Sequence, residues 1–126
     1  MANPFRGELQ VSLGGKAYKT RMTVDGCMQA ESACGTSLVR IATKLSEGDL
    51  TVMDITNVLT PAFKGGGNDV DQQKVAKIVY EAGLADGMRV CGEVLANVLT
   101  AGGSSSEDSE EDNEEGSEKN AVETAE

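Results

Sequence analysis

Gly7-Glu8-Leu9-Gln10-Val11-Ser12-Leu13-Gly14-Gly15-Lys16-Ala17-Tyr18-Lys19-Thr20-Arg21-Met22-Thr23-Val24 divides into two alternating runs on either side of a glycine pair. Successive side chains of a strand point to opposite faces, so Leu9, Val11 and Leu13 share one face of the first run, and Tyr18, Thr20, Met22 and Val24 share one face of the second. This predicts a β-hairpin. With Gly15-Lys16 as its two-residue turn, Leu13 faces Tyr18, Val11 faces Thr20 and Leu9 faces Met22. Glu8, Gln10, Ser12, Lys19, Arg21 and Thr23 then take the opposite face. A two-stranded sheet with one apolar face is not stable alone in water, so helices must cover that face.

Downstream of the hairpin the period changes from two to that of a helix. Asp25 is read as the N-cap of a short helix carrying Cys27, Ala30, Ala33 and Cys34 and stopping at Gly35. Thr36 or Ser37 caps a second helix, with Leu38, Ile41, Ala42 and Leu45 on one face and an end near Gly48. Asp49 is read as the cap of a third, presenting Val52, Ile55, Leu59 and Ala62. Pro61 should kink or finish this helix before Gly65-Gly66-Gly67, a run that reads as a flexible joint. Asp69 or Asp71 starts a fourth helix with Val75, Ile78, Val79 and Ala82 inward, closed by Gly83.

The last helix, Leu84 to about Thr100, confines its polar residues to one stripe: Asp86, Arg89, Glu93, Asn97 and Thr100. Apolar residues cover most of the remaining circumference, so the helix must be buried on more than one side. Either it runs through the centre of the domain or part of it waits for a partner. Val90, Val94, Leu95, Val98 and Leu99 are the partner-binding candidates.

Residues 102–126 hold ten Asp or Glu against Lys119 alone, and so carry −9 of the net charge of −10. Such a run cannot bury enough surface to offset the entropy of ordering. The chain is therefore read as an α+β, mainly α domain over 1–101, a hairpin followed by about five short helices, with a disordered acidic tail over 102–126. The domain has ten Lys or Arg and eleven Asp or Glu. The cations are interspersed with acids, so no nucleic-acid surface is expected. No apolar run approaches the roughly 18 residues of a membrane span, and the N-terminus lacks a signal peptide's apolar stretch, so a cytoplasmic protein is expected.

Catalytic constellations are hard to find. The chain has no histidine, which removes imidazole bases, Cys-His pairs and Cys/His zinc sites, and Cys27, Cys34 and Cys91 lack paired metal-ligand spacing. Gly14-Gly15-Lys16-Ala17 lacks the upstream glycine and the following Ser or Thr of a phosphate loop. Asp69-Val70-Asp71 lacks the downstream glycine and glutamate of a calcium loop. No catalytic residue, cofactor or metal is expected, and the protein is read as not an enzyme.

Taken in order, several segments resemble the small tail assembly chaperones of tailed phages, in the branch shared with gene transfer agents. The carrying features are Asn3-Pro4-Phe5-Arg6-Gly7-Glu8 leading into the hairpin and Leu13-Gly14-Gly15-Lys16-Ala17-Tyr18-Lys19-Thr20-Arg21 within it. A short helix ending at Gly35, then Leu45-Ser46-Glu47-Gly48-Asp49-Leu50, and the Gly83-Leu84 break complete the set. The resemblance covers residues 1 to about 101. It implies a non-enzymatic protein that binds and solubilises the tape measure protein while the tail tube polymerises, and that is absent from the finished particle. The tail tube protein and further copies of the chain are the other partners considered. The alternative is a minor structural tail or head-to-tail joining protein retained in the particle. A third reading, outside phage biology, is an acidic-tailed chaperone for basic proteins.

Overall fold

The computed structural model describes residues 7–100. A hairpin of β1 (Glu8–Leu13) and β2 (Lys16–Arg21) is followed by α1 (Val24–Cys34), α2 (Leu38–Ser46), α3 (Val52–Gly65), α4 (Gln72–Ala82) and α5 (Leu84–Thr100). This is the mainly helical α+β arrangement expected from the residue pattern. The acidic segment, expected to be disordered, lies outside the described residues.

The hairpin turns at Gly14-Gly15, one residue earlier than expected. Both glycines have positive φ, 63° and 82°, the backbone a tight hairpin turn of this kind requires and side-chain-bearing residues avoid. Leu13 consequently pairs with Lys16, Val11 with Tyr18 and Leu9 with Thr20. That register is displaced by two residues from the one read from sequence, and a displacement by an even number leaves every paired side chain on its expected face; Met22 lies beyond the ladder, and Val24, read as a strand position, instead opens α1 and is 77% exposed. Val11, Leu13 and Thr20 are buried, and Tyr18 stacks on Phe63 of α3 with ring centroids 4.9 Å apart.

Two helix starts differ from the reading and two resolve it. Thr23, not Asp25, caps α1, its hydroxyl accepting the Gly26 N–H at 3.0 Å, while Asp25 sits in the first turn. Ser37 caps α2, accepting the Arg40 N–H. Thr51 displaces Asp49 as the cap of α3: its hydroxyl accepts the Asp54 N–H at 3.0 Å while the Asp54 carboxylate accepts the Thr51 N–H at 3.3 Å. This reciprocal pair satisfies two backbone donors that a helix start leaves orphaned. Asp71, not Asp69, caps α4, its carboxylate accepting the Lys74 N–H at 2.8 Å.

Helix α3, not α5, occupies the centre. It packs against α1, β2, α4 and α5, and every residue from Asp54 to Leu59 and from Pro61 to Phe63 is buried. Ile55, Leu59 and Ala62 face inward as expected, whereas Val52 is 44% exposed. Full burial of side chains such as Ile55, Leu59 and Phe63 contributes about 1.5–3 kcal/mol each. The sequence signal was masked by Thr56, Asn57 and Thr60, which are polar yet bonded. Thr56 and Thr60 donate to the Val52 and Thr56 carbonyls at 2.8 Å, and the Asn57 amide donates to the Ala33 carbonyl and accepts from Gln72. Pro61 neither ends the helix nor stands exposed. It is buried beside Gly26 of α1, and α3 continues to Gly65.

The triple glycine is a seat for the hairpin, not a loose joint. A Cβ on Gly65 would lie 2.0 Å from the Arg21 carbonyl oxygen, and one on Gly66 would lie 2.0 Å from that of Lys19. Only residues without side chains let the end of α3 approach the backbone of β2 this closely.

Candidate functional site

Of the five positions on α5 expected to meet a partner, Val90, Val94 and Leu95 are buried at 0%, 3% and 1% exposure. They hold α5 to the domain, beside α2, α3, α4 and β1. Val98 is half-buried against the core, and Leu99 is 43% exposed. Of the five, only Val98 and Leu99, at the C-terminal end of the helix, keep surface for a partner, and Leu84 at its other end is 44% exposed.

The polar stripe of α5 lies along the hairpin and supplies hydrogen bonds to its backbone. Asp86 accepts the Gly14 N–H at 2.9 Å, Arg89 donates to the Ser12 carbonyl, and Asn97 donates to the Gly7 carbonyl at 3.2 Å. Arg89 is itself held by Asp86 at 2.9 Å and Glu93 at 2.8 Å. The Gly14 N–H and then Arg89 hold the Asp86 carboxyl below its ordinary value. On the other side, Asn68 donates to the Lys19 carbonyl at 2.7 Å, next to the glycine seat. Both outer edges of the hairpin are thus engaged, which blocks the strand-to-strand pairing that bare edges invite.

Between the hairpin turn and α4 lies an open cleft of about 520 Å³. Leu13, Tyr18, Val70 and Ile78 give it apolar walls, and Lys16, Lys74, Asp69 and Glu81 line it with mixed charge. The Lys16 ammonium lies 5.6 Å from the centre of the Tyr18 ring. No group of three or more potential ligands for a metal ion occurs among the described residues. No helix among the described residues is long and apolar enough to cross a membrane.

The buried titratable groups serve the fold. Burial pushes the Asp54 carboxyl upward, but hydrogen bonds from the Thr51 backbone, Lys44 and the Thr51 hydroxyl outweigh it and hold the group below its ordinary value. Lys44 Nζ lies 3.3 Å from its Oδ2. Burial, with Cys34 and Asp54 nearby, pushes the Cys91 thiol up to about 12. Burial and then Glu31 raise Cys27; burial and then Asp54 raise Cys34. All three cysteines are unpaired, and thiols raised in this way stay protonated and unreactive.

What the surface does offer is apolar area on the helices. Val24 and Met28 on α1 are 77% and 61% exposed, Val39 on α2 64%, Met53 on α3 64% and Tyr80 on α4 79%. The sequence reading named none of them as contacts. Their signal was present in the spacing: Val24 and Met28 stand four apart, off the face defined by Cys27, Ala30 and Cys34, and Tyr80 lies off the face of Val75 and Val79. The chain belongs to the family described as phage tail tube protein, GTA-gp10, whose profile matches residues 6–101. No curated protein and no solved structure matches it.

That membership keeps the chain with the tails of phages and gene transfer agents, as the resemblance implied. It corrects the expectation about where the protein resides. A tail tube family is one of structural components of the mature particle, so a cytoplasmic protein absent from the finished particle is the wrong description. The family match supports neither the chaperone role nor the tape measure protein as partner, and fits the structural alternative better.

Proposed function

We propose that this chain is a non-enzymatic structural subunit of a phage or gene transfer agent tail, assembling with copies of itself and with neighbouring tail proteins. The observation that carries this reading is the match to the tail tube family over residues 6–101, which takes in the hairpin and all five helices. The apolar side chains exposed on α1, α2, α3 and α4, with Leu99 and half-buried Val98 at the end of α5, supply contact surface without any need to open the core. Repeated subunits joined through unlike faces close as rings or continue as open filaments, and those joined through one self-complementary face close as dimers.

Quantitative protein inventory of purified particles from cells expressing the gene tests the reading. The expected result is this chain at many copies per particle, resistant to washing at high salt. Its absence from intact particles, with the protein found only in the lysate, overturns a structural role.

A further inference from the structure

We propose that the outer face of β2 and the adjoining end of α3 form a binding surface for an acidic polypeptide, and that its occupant is residues 107–115 of the same chain. β2 carries Lys16, Lys19 and Arg21 and no acid, and Lys19 and Arg21 share the solvent face of the hairpin. Lys64 stands on the turn of α3 whose next two residues, Gly65 and Gly66, press on the carbonyls of Arg21 and Lys19. Lys19 and Lys64 are exposed and Arg21 is half-buried. Among the described residues, the ion pairs join Lys44 to Asp54 and Arg89 to Asp86 and Glu93, so none engages these three cations. The acids on this part of the surface are Glu8, opposite Arg21 in the ladder, and Asp25, which lines a small cleft of about 260 Å³ with Lys64.

The end of the described chain directs the acidic segment here. Asn97 donates to the Gly7 carbonyl, which sets the last turn of α5 at the open end of the hairpin, where Glu8 pairs with Arg21. Residues 101–106 span at most about 20 Å when extended, and neighbouring strands lie only about 5 Å apart. The linker is therefore longer than the spacing between the two strands. Glu107-Asp108-Ser109-Glu110-Glu111-Asp112-Asn113-Glu114-Glu115 then presents seven carboxylates in nine residues. Exposed ion pairs are individually weak. Covalent attachment offsets this by holding the acids near the cations at an effective concentration of about millimolar.

The test is zero-length carbodiimide cross-linking of the full chain, using an equal mixture of unlabelled and nitrogen-15-labelled protein, read by peptide mass spectrometry. Carboxylates of 107–115 are expected to join Lys19 and Lys64 within one chain, at about threefold or more the yield at Lys77, given the local concentration. These links should vanish at about 1 M salt, where screening acts over ~3 Å. Equal yields at Lys19, Lys64 and Lys77 overturn the proposal. Links found only between differently labelled chains also overturn it, and move the occupant to a second copy.

Discussion

A methyl group placed on Gly66 lands 2.0 Å from the Lys19 carbonyl oxygen and 2.8 Å from the Thr20 Cα, both backbone atoms with nowhere to retreat. One placed on Gly67 meets nothing within 4 Å but inherits a φ of 95°. The two substitutions therefore separate close packing from conformational freedom. Gly66→Ala should cost about 3 kcal/mol or force β2 off its seat, whereas Gly67→Ala should cost about 1 kcal/mol. Equal losses in urea unfolding would show that the glycines serve only their own backbone. Asp54 supplies a second prediction. Its carboxyl is held below the ordinary value in the folded protein, so it contributes stability that is fully present above about pH 3.9, the unfolded value, and is lost as pH falls through the lower folded value. Asp54→Asn should lower stability at neutral pH and flatten its fall with acid, checked by thermal melts between about pH 2 and pH 7; unchanged acid sensitivity would put the titration elsewhere. At this scale the sequence was only partly legible. Asp25 and Asp49 are good capping residues by type, but the caps went to Thr23 and Thr51. Several residue types near a helix start cap comparably well, and the neighbouring chain path decides which one is placed to do so.

Helix α5 shows what an element's pattern conveys and what it leaves open. The stripe of Asp86, Arg89, Glu93 and Asn97 was visible in the spacing, and so was the extent of the apolar remainder. Nothing in the spacing says that the stripe lies against a strand edge and not open water, because the backbone groups it binds belong to residues some 70 to 90 positions away. The centre of the fold was misjudged for a related reason. α5 shows the wider apolar circumference, but Thr56, Asn57 and Thr60 satisfy their polar groups within and around α3, so the helix with polar residues along its middle is the more deeply buried. If the stripe fastens β1, Arg89→Met should keep the helix and the stem's packing while removing the bond to the Ser12 carbonyl. Amide exchange of β1 should then quicken selectively, while the amides of α3 keep their protection. Uniform acceleration across the domain would mean that Arg89 supports global stability instead. Unchanged exchange in β1 would mean that the stripe is not what fastens the edge.

For the whole molecule, the ordered series of segments pointed to the tail systems of phages and gene transfer agents, and the family match places the chain there. The choice between a transient chaperone and a lasting subunit was not legible. Both kinds of protein need exposed apolar side chains and no catalytic group, and the residue pattern says that a surface is apolar without saying how long it stays covered. The structure does narrow which surface is available. The hairpin edges are engaged and three of the five expected contact residues on α5 are in the core, so among the described residues the exposed apolar area lies on the outer helical faces. Tyr80, 79% exposed on α4, and Met53, 64% exposed on α3, test this directly. Tyr80→Ser and Met53→Ser, made separately and together, should leave the helical content unchanged and the stability within about 1 kcal/mol, as for surface positions that touch no special feature. Incorporation into particles, measured against the unsubstituted chain co-expressed in the same cells, should fall for at least one substitution and furthest for the pair, because each removes apolar area that a subunit contact would cover. Wild-type incorporation of the double variant would exclude these two side chains as contacts and leave, among the described residues, the exposed apolar positions of α1, α2 and the two ends of α5 as the surface for the proposed assembly.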